Sequence, residues 1–260
     1  MNFFIMVSLI LSVLLGIFRG IDLALLTDAE TGLCIVGSVW LRYGALAVAV
    51  GAAVAAGRGG QPKPDALRGH CTPSGVVALA AAVCYGEAAV LRILWMHSSV
   101  VMLLRAVLEA LCAFWMIGLG LSWLRRGWKN PTRSLTPAVL GSVIFYWCVL
   151  ARFMENSSSW HRVQPTAAVW QELAALLFLA ALARTLYLPQ PENGRTLHAA
   201  ALAAFCLCLC WELPRVLLLL AAGFGGGMAA VLPELLSGLA LCCIGGMGLA
   251  CIGQGKAGNN

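Results

Sequence analysis

The chain has 260 residues, of which 61% are hydrophobic and only 11% charged, and its mean hydropathy is +0.87. Soluble domains carry about 25% charged residues, so soluble globular, disordered and coiled-coil classes are excluded. The net charge of +6 sits largely in short loops, where basic residues set membrane topology, and no nucleic-acid partner is expected.

A membrane-crossing helix needs about 20 mostly apolar residues. Eight segments qualify: 3–26, 33–57, 74–96, 99–123, 137–155, 167–187, 197–222 and 228–252. The opening run from Phe3 to Phe18 has no basic leader and no small-residue cleavage site before Arg19, so it reads as a retained helix rather than a signal peptide. Charges interrupt the first, second and fourth segments, and loss of one of the first two would leave seven spans. The expected fold is an all-α polytopic transmembrane bundle, with residues 1–260 as a single integral membrane domain and no soluble domain. No room remains for a nucleotide-binding or catalytic unit.

The loops decide the expected orientation. Arg58, Lys63, Arg68, Arg125, Arg126, Lys129, Arg133, Arg184, Arg195 and Lys256 all fall on one side, which the positive-inside rule makes cytoplasmic. Both termini are then cytoplasmic, in the plasma membrane of the cell. The opposite half contains no lysine. It holds Arg19, Arg42, Arg92, Arg105, Arg152, Arg162 and Arg215, together with Asp22, Glu87, Glu109, Glu155, Glu172, Glu212 and Glu234. Arginine suits carboxylates in a partly dry site, because its planar fork donates bidentately and keeps its charge.

Charges at bilayer depth are costly without a partner or water. At a rise of about 1.5 Å per residue, Glu87, Glu109 and Glu212 are expected about 14–16 Å deep, near the midplane of a ~30 Å core. Arg105, Arg215, Glu172 and Glu234 are expected one to two turns shallower. In-helix spacing pairs Arg105 with Glu109, Glu212 with Arg215, Arg19 with Asp22 and Arg152 with Glu155 on shared faces. Glu87 and Arg92 diverge on their helix. Arg42, Glu87, Arg92, Glu172 and Glu234 must therefore find another helix, water or a ligand. Two readings stay open: the pairs lock helices together, or they line a hydrated vestibule open to the extracytoplasmic side.

Aromatic residues stand beside these charges: Trp40 and Tyr43 near Arg42, Tyr85 near Glu87, Trp170 before Glu172 and Trp211 before Glu212. An aromatic and acidic lining suits a cationic or zwitterionic ligand. Pro214 and Pro233 lie inside spans next to Glu212 and Glu234, where each frees a carbonyl and bends its helix. Trp95, Trp123, Trp128 and Trp160 are expected in interfacial belts.

There is no His-Glu-x-x-His or Gly-x-Ser-x-Gly pattern, and no span holds a lysine for a Schiff base. The eleven cysteines lie mostly within spans, where Cys acts as a small hydrophobe, and no disulfide is expected. No catalytic residue, metal ligand or cofactor is assigned, and an enzyme is disfavoured. The leading expectation is a transporter-like protein that binds or moves a small polar or charged solute. Its binding or ion-coupling candidates are Glu87, Glu109, Glu212, Arg105, Arg215, Arg42, Arg92, Glu172 and Glu234. The alternatives are a membrane sensor or receptor acting through a partner protein, and a scaffold whose Arg/Glu pairs only specify packing. In every case the lipid bilayer is a partner.

Overall fold

The computed structural model describes residues 3–28, 33–59, 67–95, 99–125, 135–154, 163–188, 190, 193–222 and 227–254. They form eight helices long and apolar enough to cross a membrane: α1 Phe3–Leu26, α2 Val39–Arg58, α3 Thr72–Trp95, α4 Val100–Leu124, α5 Thr136–Met154, α6 Val163–Tyr187, α7 Asn193–Ala221 and α8 Met228–Gln254. Among the described residues there is no β-strand, only an isolated bridge between Thr27 and Cys34. Helix satisfies every backbone group within its own segment, which lipid requires. The protein is thus an all-α, multi-pass integral membrane bundle. Its outward faces carry Phe4, Phe114, Phe153 and Leu177, suited to lipid contact.

The helix ends follow local chemistry. The Ser38 hydroxyl accepts from the Trp40 amide at 3.3 Å and starts α2. That start lies six residues beyond the sequence-based one, because Asp28 N donates to Leu33 O and Ile35 N to Leu26 O, both at 2.9 Å, folding the link into a tight turn. Pro73, Pro137 and Pro165 occupy the first turns of α3, α5 and α6, where a missing N–H costs nothing. For α6 this puts the helix start at Val163 rather than 167.

Two spans contain wide π turns, Asp22–Leu26 at the end of α1 and Phe205–Trp211 in the middle of α7. Pro214 cannot donate to Cys210 O, and that carbonyl presses against α1: a Cβ on Gly16 would lie 2.6 Å from it. π turns concentrate at functional sites, and both of these border charged groups.

α3 packs most extensively on α4 and α8, while α7 touches α1, α2, α6 and α8 and forms the axis of the bundle. Arg58, Arg68, Arg125, Arg184 and Arg195 gather at one end, called here the basic end. There Trp123 Nε1 donates to Leu67 O at 2.9 Å. Trp123 is fully buried, so it is a core residue and not the belt residue its sequence position suggested. All eleven cysteines are free.

Candidate functional site

Among the described residues, the ion-paired intramembrane charges form three groups. In the first, α3, α4 and α8 meet. Arg92 Nε donates to Glu109 Oε2 at 3.0 Å and Arg92 Nη2 to Glu234 Oε1 at 3.0 Å. Arg105 completes the quartet, with Nε 3.2 Å from Glu109 Oε1 and Nη1 3.0 Å from Glu234 Oε1. Ser237 Oγ donates to Glu109 Oε1 at 3.0 Å. Arg92 and Glu109 are each 1% exposed, so their pair is shielded from screening, whereas Arg105 and Glu234 are 20% and 35% exposed. The i,i+4 spacing of Arg105 and Glu109 gives one contact, and tertiary packing supplies the rest.

The second group joins α6 to α7. Arg215 Nε donates to Glu212 Oε1 and Gln171 Nε2 to Glu212 Oε2, both at 2.8 Å. Gln171 also donates to Leu207 O at 3.1 Å, a carbonyl inside the π turn. The third group sits between α1, α2 and α6. Arg19 Nη1 reaches Asp22 Oδ2 at 2.8 Å and Arg42 Nε reaches Asp22 Oδ1 at 2.7 Å. Arg19 also donates to Gln164 Oε1 and lies 4.7 Å from the Trp211 ring centroid, a cation–π contact.

Between the first two groups lies a cavity of about 50 Å³. Its walls carry Arg105, Glu109, Glu212, Arg215, Glu234 and Glu172 of the sequence-based candidates, plus Tyr85, Cys148, Arg152, Gln164, Gln171 and Ser237. Glu172 is the exception among these carboxylates. It makes no hydrogen bond or ion pair to any described residue. Because α6 starts at Val163, Glu172 is nine residues inside the helix, about 14 Å along its axis and as deep as Glu109 or Glu212. The Tyr85 side chain is only 4% exposed, yet its hydroxyl also lacks a partner among the described residues. Its ring is held edge-on by Phe145, with centroids 6.4 Å apart.

The structure separates the remaining candidates. Arg92 stands behind the cavity wall and holds it through Glu109 and Glu234. Arg42 belongs to the Asp22 group, away from the cavity. Glu87 lies on the exposed outer face of α3, outside the cavity and without a partner among the described residues. The five-residue offset from Arg92 points it to the opposite side. Glu155, Arg162, Trp128 and Trp160 are outside the described residues. Of the five aromatic residues noted beside charges, only Tyr85 lines the cavity. Tyr43 donates to Thr166 Oγ1 at 3.2 Å, and Trp170 lines a different groove. Gln164, Gln171 and Ser237 are uncharged, so a search led by ionisable residues passes over them; a search for amide side chains inside the spans would have found Gln171. In comparisons with known families, curated proteins and solved structures, the chain matches none.

Proposed function

We propose that the protein binds a small polar or charged solute in the cavity enclosed by α3 to α8 and carries it across the membrane as a secondary transporter. The observation that supports this reading is the pair of unused groups on the cavity wall, the Glu172 carboxylate and the Tyr85 hydroxyl. The other acids there already accept from arginine, glutamine or serine. A carboxylate at that depth without a partner is costly, and a bound solute or water removes the cost. The free groups are an acceptor and a hydroxyl, so the preferred solute presents hydrogen-bond donors or positive charge. A cavity of about 50 Å³ admits a few waters or a small ion. A larger solute requires movement of α7, whose π turn and Pro214 supply a flexible point beside Glu212.

In this reading the cavity opens to the extracytoplasmic side of the plasma membrane, with both termini cytoplasmic; reporter fusions at each terminus test that orientation. Glu109, Glu212, Glu234, Arg105 and Arg215 shape the site, and Arg92 supports it. The binding test uses the melting temperature of purified protein across ammonium, methylammonium, guanidinium and acetate salts at equal ionic strength. The expected result is a rise with one of the cations that Glu172→Gln abolishes. Identical curves for wild type and Glu172→Gln in every salt would remove the solute role.

The closed Arg92–Glu109–Arg105–Glu234 quartet favours a second reading, a scaffold in which charge pairs specify helix packing. Radiolytic hydroxyl labelling of Tyr85 discriminates: oxidation of Tyr85 requires water in the cavity, and protection favours the scaffold.

A further inference from the structure

An apolar groove of about 550 Å³ runs between α2, α6 and α7. Val50 and Val54 of α2, Leu173 and Leu177 of α6, and Ala203 and Leu207 of α7 form its walls. At the basic end the groove finishes on Arg58 and Arg195. Both are exposed, and neither guanidinium has a hydrogen-bond or ion-pair partner among the described residues. Arg19, Arg42 and Arg92, by contrast, are buried and salt-bridged.

Helix packing brings the two groove arginines together. Gly57 lets α2 approach α7 so closely that a Cβ there would lie 2.9 Å from Ala199 Cβ. Arg58 is the next residue on α2, and Arg195 is one turn before Ala199 on α7. Arg195 and Thr196 also stand in the first turn of α7, which begins at Asn193, so the dipole of that helix end adds positive potential. The twelve residues from Arg195 to Leu207 span about 18 Å, slightly more than one leaflet's share of a ~30 Å hydrocarbon core.

We infer that this groove binds an anionic phospholipid, with the phosphate held by Arg58 and Arg195 and one acyl chain lying along the groove toward Trp170. Any acyl chain fits the apolar walls; charge complementarity at the mouth selects the headgroup. Guanidinium forks match phosphate oxygens bidentately. A phosphatidylcholine headgroup brings its own cation to the same two arginines, whereas phosphatidylglycerol brings only negative charge.

The test is native mass spectrometry of the full chain titrated with phosphatidylglycerol or phosphatidylcholine of identical acyl chains. Wild type is expected to retain one phosphatidylglycerol in preference to phosphatidylcholine. The double variant Arg58→Gln, Arg195→Gln should weaken phosphatidylglycerol retention by about tenfold, since anionic lipid attraction is a sum over such residues, and leave phosphatidylcholine unchanged. Both arginines are exposed and have no partner among the described residues, so their loss should not disturb folding. Arg125→Gln, at the same end but outside the groove, should retain lipid as wild type does. Ala200→Phe, which fills the groove, should weaken both lipids. Equal retention of the two lipids by wild type, or an undiminished phosphatidylglycerol adduct in the double variant, would overturn the assignment. An equal loss in Arg125→Gln would overturn it too, by showing only a bulk charge effect.

Discussion

Two walls of one cavity treat their carboxylates in opposite ways. On the α3–α4–α8 wall, Glu109 and Glu234 are each held by both Arg92 and Arg105. On the α6 wall, Glu172 meets none of the described residues at hydrogen-bond distance. The first wall is charge-balanced, and its Arg92–Glu109 pair is buried, so its ions depend on one another. The second leaves an acceptor for something that is not part of the described chain. Stability and ligand binding should therefore separate by wall, and substitutions can test that separation.

The largest effect on stability is expected at Glu109. Glu109→Leu leaves Arg92 buried with only Glu234 to pair, and breaking a buried pair from one side costs about 3–5 kcal/mol. Thermal unfolding in detergent should show the loss, with a smaller one for Glu109→Gln, which keeps an acceptor oxygen. A Glu109→Leu protein that melts like wild type would mean the quartet contributes no net stability, and the contrast between walls would fail.

The next largest effect is expected at Gln171, which links the π turn of α7 to Glu212. Its amide bonds Leu207 O in the π turn and Glu212 Oε2, and it is 1% exposed. Gln171→Leu strands two buried acceptors at about 1–3 kcal/mol. The same assay should report a drop between those of Glu109→Leu and Glu172→Gln. Any larger drop would identify the π turn, not the quartet, as the weakest point of the bundle.

The eight spans were legible in the sequence because hydropathy alone dictates them, and the in-helix pairs Arg105–Glu109, Glu212–Arg215 and Arg19–Asp22 followed from helical spacing. What could not be read was the pairing between helices. Arg92 finds Glu109 and Glu234 across gaps of 17 and 142 residues, which no local rule specifies. Depth misled at Glu172: the apolar segment starts at 167, yet Pro165 fits a first turn and α6 begins at Val163. The shift of four residues carries Glu172 about 6 Å deeper. The Tyr85 hydroxyl was noticed only as a neighbour of Glu87, although helix positions two apart differ by about 200° and the two side chains face opposite ways.

A smaller stability effect is expected on the open wall. Glu172→Gln removes no contact with a described residue, so unfolding should change by less than about 1 kcal/mol, while any solute-induced rise in melting temperature disappears. A destabilisation as large as that of Glu109→Leu would show that Glu172 is held by residues outside the described set, and the two walls would then be equivalent.

The smallest effect is expected at Glu87, and it isolates depth from surroundings. Glu87 lies eight residues from the Trp95 end of α3, about 12 Å along the helix, close to the depth of Glu172. Yet it stands on the outer face, among Val83, Val90 and Leu94, which are all exposed. Lipid offers a carboxylate neither water nor counter-charge, so Glu87→Leu should leave melting unchanged or slightly raised in lipid nanodiscs. It should also leave cation-dependent melting intact. If depth alone made a glutamate functional, Glu87→Leu and Glu172→Gln would abolish that response alike. If surroundings decide, only the glutamate that shares a cavity with Tyr85 and the arginines will matter.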